Sequence, residues 1–193
     1  MAGPDYQVAR EVLACRLGPE ALAHCVGVAE TAAMLAARHG VDAEDARIAG
    51  LLHDWAREDG RERLLEEANA AGIPVSDIDR TVPYLLHARL GAAAVHAEFP
   101  GLAKEVVRAI ERHTLGAVDM SDLDRVVYVA DLIEPGRTFE GVDDLRLAAS
   151  EVSLAELYAR AYEASLIHLI RTRRHLHPGT VEAWNAIVSE DTP

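Results

Sequence analysis

The chain sets a histidine and an aspartate side by side, His53-Asp54, inside the apolar run LLHDWA, at the end of a helix that begins near Ala43. A carboxylate in such a run loses water and gains nothing from apolar neighbours. The fold must therefore compensate that charge, and a divalent metal accepts both an imidazole nitrogen and a carboxylate oxygen. Adjacent residues on a helix point about 100° apart. Both can approach one ion only across the edge between them, so the remaining ligands must come from other helices.

Those helices are readable. Half of the 193 residues are apolar and aromatics are few; the excess of alanine and leucine favours helix. Asp5 caps a first helix to about Leu17, and Pro19 opens a second to about Arg38, stopped at Gly40. Asp42 caps the third, whose apolar face is Ile48, Leu51, Leu52 and Trp55. A charged amphipathic helix covers residues 61–71, and IPVSDIDRTVP is loop with one short turn at most. Further helices cover about 85–98 and 102–113. SDLDRVVYVADLIEP reads as a helix capped by Ser121, with Asp124 in the capping-box position and Pro135 ending it. After a loop at 137–142, a long helix spans about 153–174, and Pro178 opens the last one. No segment alternates clearly enough to be a strand. The expectation is one all-α domain over residues 1–193, a helical bundle.

Polar residues recur in the apolar stretches of these helices. His24 lies in EALAHCVGVAE, His87 in YLLHARLG, His113 in AIERHTLG and Asp131 in VVYVADLIEP. Singly, each is best explained as a core group hydrogen-bonded to protein. Together they give the order H…HD…H…H…D over five helices. Helix bundles build metal sites from such inward-facing side chains, and a mixed His/carboxylate set with open positions suits iron, manganese, zinc or a similar ion. His39, His96 and His168 have no matching partner and read as helix-end, surface or packing residues. The basic run RTRRHLH (residues 171–177) reads first as a solvated helix end that favours the dipole; the sharper reading puts it beside a nucleotide.

The doublet and its companions resemble the HD-domain superfamily of metal-dependent phosphohydrolases. The segments HCVGVAETAAMLAARHGVDAEDARIAGLLHDWARE, LLHARLGAAAV, AIERHTLG, MSDLDRVVYVADLIEPGR, GVDDLR and LHPGTVEAWN are similar, one after another, to the YqeK family. The resemblance spans about residues 8–188. It implies an all-α HD fold with an iron centre, manganese or another divalent ion being the alternative, and symmetrical cleavage of diadenosine tetraphosphate into two ADP. It further implies His24, His53, Asp54 and Asp131 as metal ligands. His87 and His113 become donors to substrate or ligands of a second ion, and Asp54, His87, His113 and Asp131 the catalytic groups. Arg57 and Arg137 would contact phosphate, Asn185 would border the nucleoside, and the C-terminal helices would complete the nucleotide site. Two positions depart from the family pattern: Ala21 stands where arginine is frequent, and Cys25 where threonine is usual.

Composition narrows the function classes. A net charge of −13 repels polyanions and argues against extended nucleic-acid binding, while leaving room for a small nucleotide held by local cations. No apolar run approaches the ~18 residues of a membrane span, and the N-terminus lacks the apolar core of a signal peptide. Cys15 and Cys25 are isolated and read as reduced thiols. These features point to a cytoplasmic protein with no membrane partner; a homodimer is compatible with them. Two alternatives stay open at this level: an HD nucleotidase acting on mononucleotides, and a nucleotide-binding regulatory module without turnover.

Overall fold

The computed structural model describes residues 3–190. Eleven α-helices and one 3₁₀ turn are present, and no strand is found among the described residues. The helices are α1 (Tyr6–Ala14), α2 (Pro19–His39), α3 (Ala43–Leu52), α4 (Arg61–Ala70), α5 (Asp77–Thr81), α6 (His87–Glu98), α7 (Lys104–Arg112), α8 (Asp122–Ile133), α9 (Val142–Glu151), α10 (Leu154–Arg171) and α11 (Pro178–Glu190). The 3₁₀ turn, Pro83–Leu86, leads into α6.

The termini follow from local chemistry. Asp42 Oδ1 accepts the amides of Glu44 and Asp45 at the start of α3, and Ser121 and Asp124 form a reciprocal capping box at the start of α8. Gly40 ends α2 in the left-handed region, φ 73°, which glycine enters without the Cβ penalty of other residues. Two elements differ from the sequence expectation. The 73–84 segment contains α5, whose own capping box joins Ser76 and Asp79. The stretch before α10 contains α9, a full helix, and α10 ends at Arg171.

The core is built around α2 and α8, with α2 packed on α3 and α8, and α8 also against α7 and α10. The approach of α2 to α3 depends on a missing side chain. A Cβ at Gly50 would sit 3.0 Å from both Ala29 Cα and Val28 O, so only glycine lets the two backbones meet. That contact brings the end of α3 against the first half of α2. By length and mean hydropathy (1.2) α2 would pass as a membrane span, contrary to the sequence expectation. Its Cys25, Val28, Ala29, Ala32, Leu35 and Ala36 are instead buried against neighbouring helices, as in the central helix of a packed domain.

Candidate metal centre

The six polar residues singled out in the sequence meet at one place. His24 lies in α2 and Asp131 in α8; His53 and His113 are the residues that cap the C-termini of α3 and α7; His87 opens α6. Asp54 follows His53 in the turn beyond α3. His53, Asp54, His87 and His113 are buried.

Position at helix ends has a chemical consequence. The last carbonyls of a helix lack intrahelical partners. His53 Nδ1 lies 2.8 Å from Gly50 O, and His113 Nδ1 lies 2.7 Å from Ile110 O. His87 Nδ1 lies 2.6 Å from Tyr84 O in the 3₁₀ turn. A carbonyl only accepts, so Nδ1 carries the proton in each ring. The neutral ring then presents a bare Nε2 lone pair. His24 Nδ1 lies 3.1 Å from Glu134 Oε1, with the same result.

All four Nε2 atoms face the carboxylates of Asp54 and Asp131. His24 Nε2 is 3.0 Å from Asp131 Oδ1 and 3.6 Å from Asp54 Oδ2; His53 Nε2 is 3.3 Å from Asp54 Oδ2 and 3.7 Å from Asp131 Oδ1. Across the same carboxylate, Asp54 Oδ1 is 3.2 Å from His87 Nε2 and 3.6 Å from His113 Nε2. His87 and His113 Nε2 are themselves 3.1 Å apart. Two lone pairs do not approach so closely without a proton or a cation between them. His53 Nε2 and Asp54 Oδ1 are buried and make no hydrogen bond, which is costly unless positive charge occupies the centre. The donor set therefore fits divalent metal, with Asp54 facing a His24/His53/Asp131 group on one side and a His87/His113 group on the other.

The electrostatics agree. Burial opposes ionisation of Asp54, yet the imidazoles packed around it, His53 first and then His113 and His87, hold its carboxyl well below the usual range. Burial likewise opposes ionisation of Asp131, but His24, His53 and the Arg137 guanidinium beside it hold it low. His24 is raised: burial pulls it down, and Asp131 and Glu134 more than offset that. The centre attracts positive charge. Cys25, beside it, is driven upward by burial and by both aspartates and so stays a thiol.

His87, His113 and Asp131 of the centre line a cleft of about 720 Å³. Arg57 and Arg137 stand at its edge. Arg57 Nη1 donates to Asp54 Oδ2 at 2.7 Å, and Arg137 Nη2 donates to Asp131 Oδ1. Tyr84 is tilted over the His87 ring, centroids 4.5 Å apart, and burial pushes its hydroxyl up to about 12. Thr114 Oγ1 lies 3.3 Å from His87 Nε2 and 3.1 Å from His113 Nε2. The far wall carries Arg173, Arg174, His175, His177 and Thr180. Part of the basic run thus lines the cleft, and His168, read from sequence as a surface or packing residue, lines it too. Asn185 is placed elsewhere: it is exposed on α11, outside the residues lining the cleft. Ala21 packs against the core, half-buried. Thr114 and Glu134 were not singled out from sequence. Thr114 follows a candidate histidine directly, which is a signal; Glu134, next to Pro135 at a helix end, looks like any solvated glutamate.

Comparison with known proteins agrees with this geometry. The HD domain family matches residues 21–136. A symmetrical bis(5'-nucleosyl)-tetraphosphatase from Bacillus subtilis is 35% identical over 93% of this chain and 97% of its own. A protein of the same name from Halalkalibacterium halodurans is 32% identical over 86% and 88%. The crystal structure of a predicted HD superfamily hydrolase involved in NAD metabolism, from Clostridium acetobutylicum, superposes with a TM-score of 0.90. It is 37% identical and covers 97% of this chain and 98% of that one.

Proposed function

Because the chain belongs to the HD-domain family, and within it to the symmetrical bis(5'-nucleosyl)-tetraphosphatases, we propose that it hydrolyses diadenosine tetraphosphate and related dinucleoside polyphosphates to nucleoside diphosphates. The observation that carries the mechanism is the convergence of four Nε2 lone pairs and two carboxylates on one centre, whose His87, His113 and Asp131 line a cleft together with Arg57 and Arg137.

His24, His53, Asp54 and Asp131 hold the metal in this reading, and His87 and His113 either donate to substrate or hold a second ion beside Asp54. The bound ion supplies Lewis acidity toward phosphoryl oxygen and makes nearby water a better nucleophile at neutral pH. The protein's own groups do the rest. Arg57 and Arg137 each use part of the guanidinium on an aspartate and turn other N–H groups to the cleft, where they meet charge that spreads over phosphoryl oxygens. Asp131 orients the attacking water. Thr114 stands where its hydroxyl can donate to a phosphate oxygen. His87 or His113, when protonated and not engaged by metal, donates to the departing diphosphate. Residues 173–180, between α10 and the first turn of α11, complete the nucleotide side of the cleft, so the domain extends beyond the segment matched by the family. We take the native ion to be iron and the setting to be the cytoplasm, in keeping with two unpaired cysteines.

The test is product analysis. Protein loaded with iron or manganese and given diadenosine tetraphosphate is expected to yield ADP as its sole product. AMP with ATP would overturn the symmetrical reading. Metal analysis of anaerobically purified protein identifies the ion.

A further inference from the structure

His24 differs from the other three histidines of the centre in what holds it. His53, His87 and His113 each lean on a backbone carbonyl, whereas His24 leans on a carboxylate, Glu134 Oε1, at 3.1 Å. Glu134 is only 5% exposed. It ends α8, three residues after Asp131, and burying its charge is expensive unless the surroundings are built for it.

They are built for it. The Gly136 amide donates to Glu134 Oε2 at 2.6 Å, and Arg137 Nε lies 3.9 Å from Oε1. Two glycines leave the space. A Cβ at Gly27, one turn along α2 from His24, would lie 2.7 Å from Oε2; a Cβ at Gly136 would lie 2.9 Å from Oε1 and 3.0 Å from Oε2. The loop that presents the carboxylate is pinned by one side chain from α9. Arg146 donates to the carbonyls of Ile133, Glu134 and Arg137 at 3.0, 2.8 and 2.8 Å. This gives a role to the GVDDLR segment, whose arginine lies outside the cleft lining.

Resting on the metal reading above, we propose that Glu134 is a positioning residue that acts through His24. It fixes the ring so that Nε2 faces Asp54 and Asp131, and strengthens that nitrogen as a ligand through a carboxylate–imidazole pair. Gly27 and Gly136 form the slot that admits it, and Arg146 holds the slot in place. Glu134 touches neither substrate nor metal.

The test measures binding of Mn²⁺ alone, by competition with a chelator, on full-length protein. Glu134→Gln keeps shape and an accepting oxygen but removes the charge. It is expected to weaken Mn²⁺ binding at least tenfold, in protein whose helical circular dichroism matches the parent. Gly27→Ala, which crowds the carboxylate, is expected to weaken binding in the parent but to add little in a Glu134→Ala background, the signature of two changes acting through one contact. Parent-like Mn²⁺ affinity in folded Glu134→Gln overturns the proposal, as does an equal Gly27→Ala penalty in both backgrounds. If the parent itself fails to bind Mn²⁺, Fe²⁺ or Zn²⁺, the metal reading fails instead, and the two failures are distinct.

Discussion

Asp54 and Asp124 are both fully buried carboxylates in one helical core, and they are buried for different reasons. Asp124 accepts the Ser121 amide at 2.9 Å and Arg112 Nη1 at 3.1 Å, with Arg108 Nε at 3.4 Å, while its own amide bonds Ser121 Oγ. These donors all reach Oδ2, so the fold itself supplies fixed partners for the charge. Asp54 receives one arginine, Arg57, and otherwise faces imidazole nitrogens whose protons are committed elsewhere. A carboxylate matched by donors is part of the scaffold. One surrounded by acceptors waits for a cation, and that difference separates structure from site more sharply than burial does.

Exchanging one side chain at a time tests the contrast most strongly. Asp54→Ala removes the group common to both histidine clusters. Hydrolysis is expected to fall about a thousand-fold or more, ~4 kcal/mol of transition-state stabilisation at 1.36 kcal/mol per decade, with metal content lost and the helical circular dichroism retained. Full metal occupancy in that variant would dissolve the distinction. Asp124→Ala should do the reverse. Losing the buried carboxylate and its capping box costs about 1–2 kcal/mol, a drop of roughly 2–8 °C in Tm for a chain of this size; Arg112, partly exposed, keeps Asp119. Metal content per folded molecule should stay at the parental value.

Removing the cation gives the effect next in size to that of Asp54→Ala. Ligand that binds only the folded state stabilises it by about 2.7 kcal/mol at a hundredfold excess over Kd. Chelation should therefore lower the parent's Tm by several degrees and leave that of Asp54→Ala unmoved. An equal drop in both would mean that metal binds away from this centre.

The same contrast explains what was legible in the sequence. His24, His53, Asp54, His87, His113 and Asp131 stood out because each interrupts an apolar helical pattern. Asp124 was assigned to its capping box because Ser121 precedes it by three residues and an apolar run follows. The hidden groups lack such contrast. Glu134 adjoins Pro135 in a polar loop, and its burial comes from Gly27 on a distant helix, which no local pattern reports. Arg146 lies in α9, where VDDLR carries too many charges to show a clear apolar stripe. The five residues of α5 are fewer than periodicity can resolve. A motif assigns a residue to a helix without fixing which way it faces. Hence Asn185, on a helix whose first turn reaches the cleft, points outside it, and His168 points in.

The smallest expected effect concerns a second scaffold carboxylate, Asp79, in the capping box of α5. The Ser76 amide and hydroxyl donate to Oδ2 at 2.9 and 2.8 Å, and Arg89 lies 2.8 Å from Oδ1. Burial alone would raise its pKa, but these donors more than offset it and hold the carboxyl below its usual range. Because the folded value lies below the unfolded one, about 3.9, the stabilisation is present above that pH and is lost as pH falls through the folded value. His177 Nε2, 3.9 Å from Oδ1, faces the same group from the start of α11. Asp79→Asn should therefore destabilise the metal-free protein at pH 7, and the gap to the parent should narrow as pH falls below about 3.9, as read by urea midpoints at each pH. A gap that is constant between pH 7 and 3 would show that Asp79 acts by shape alone. Working with metal-free protein keeps protonation of His24 and its neighbours from entering through metal loss, so the measurement reports the scaffold carboxylate and not the centre.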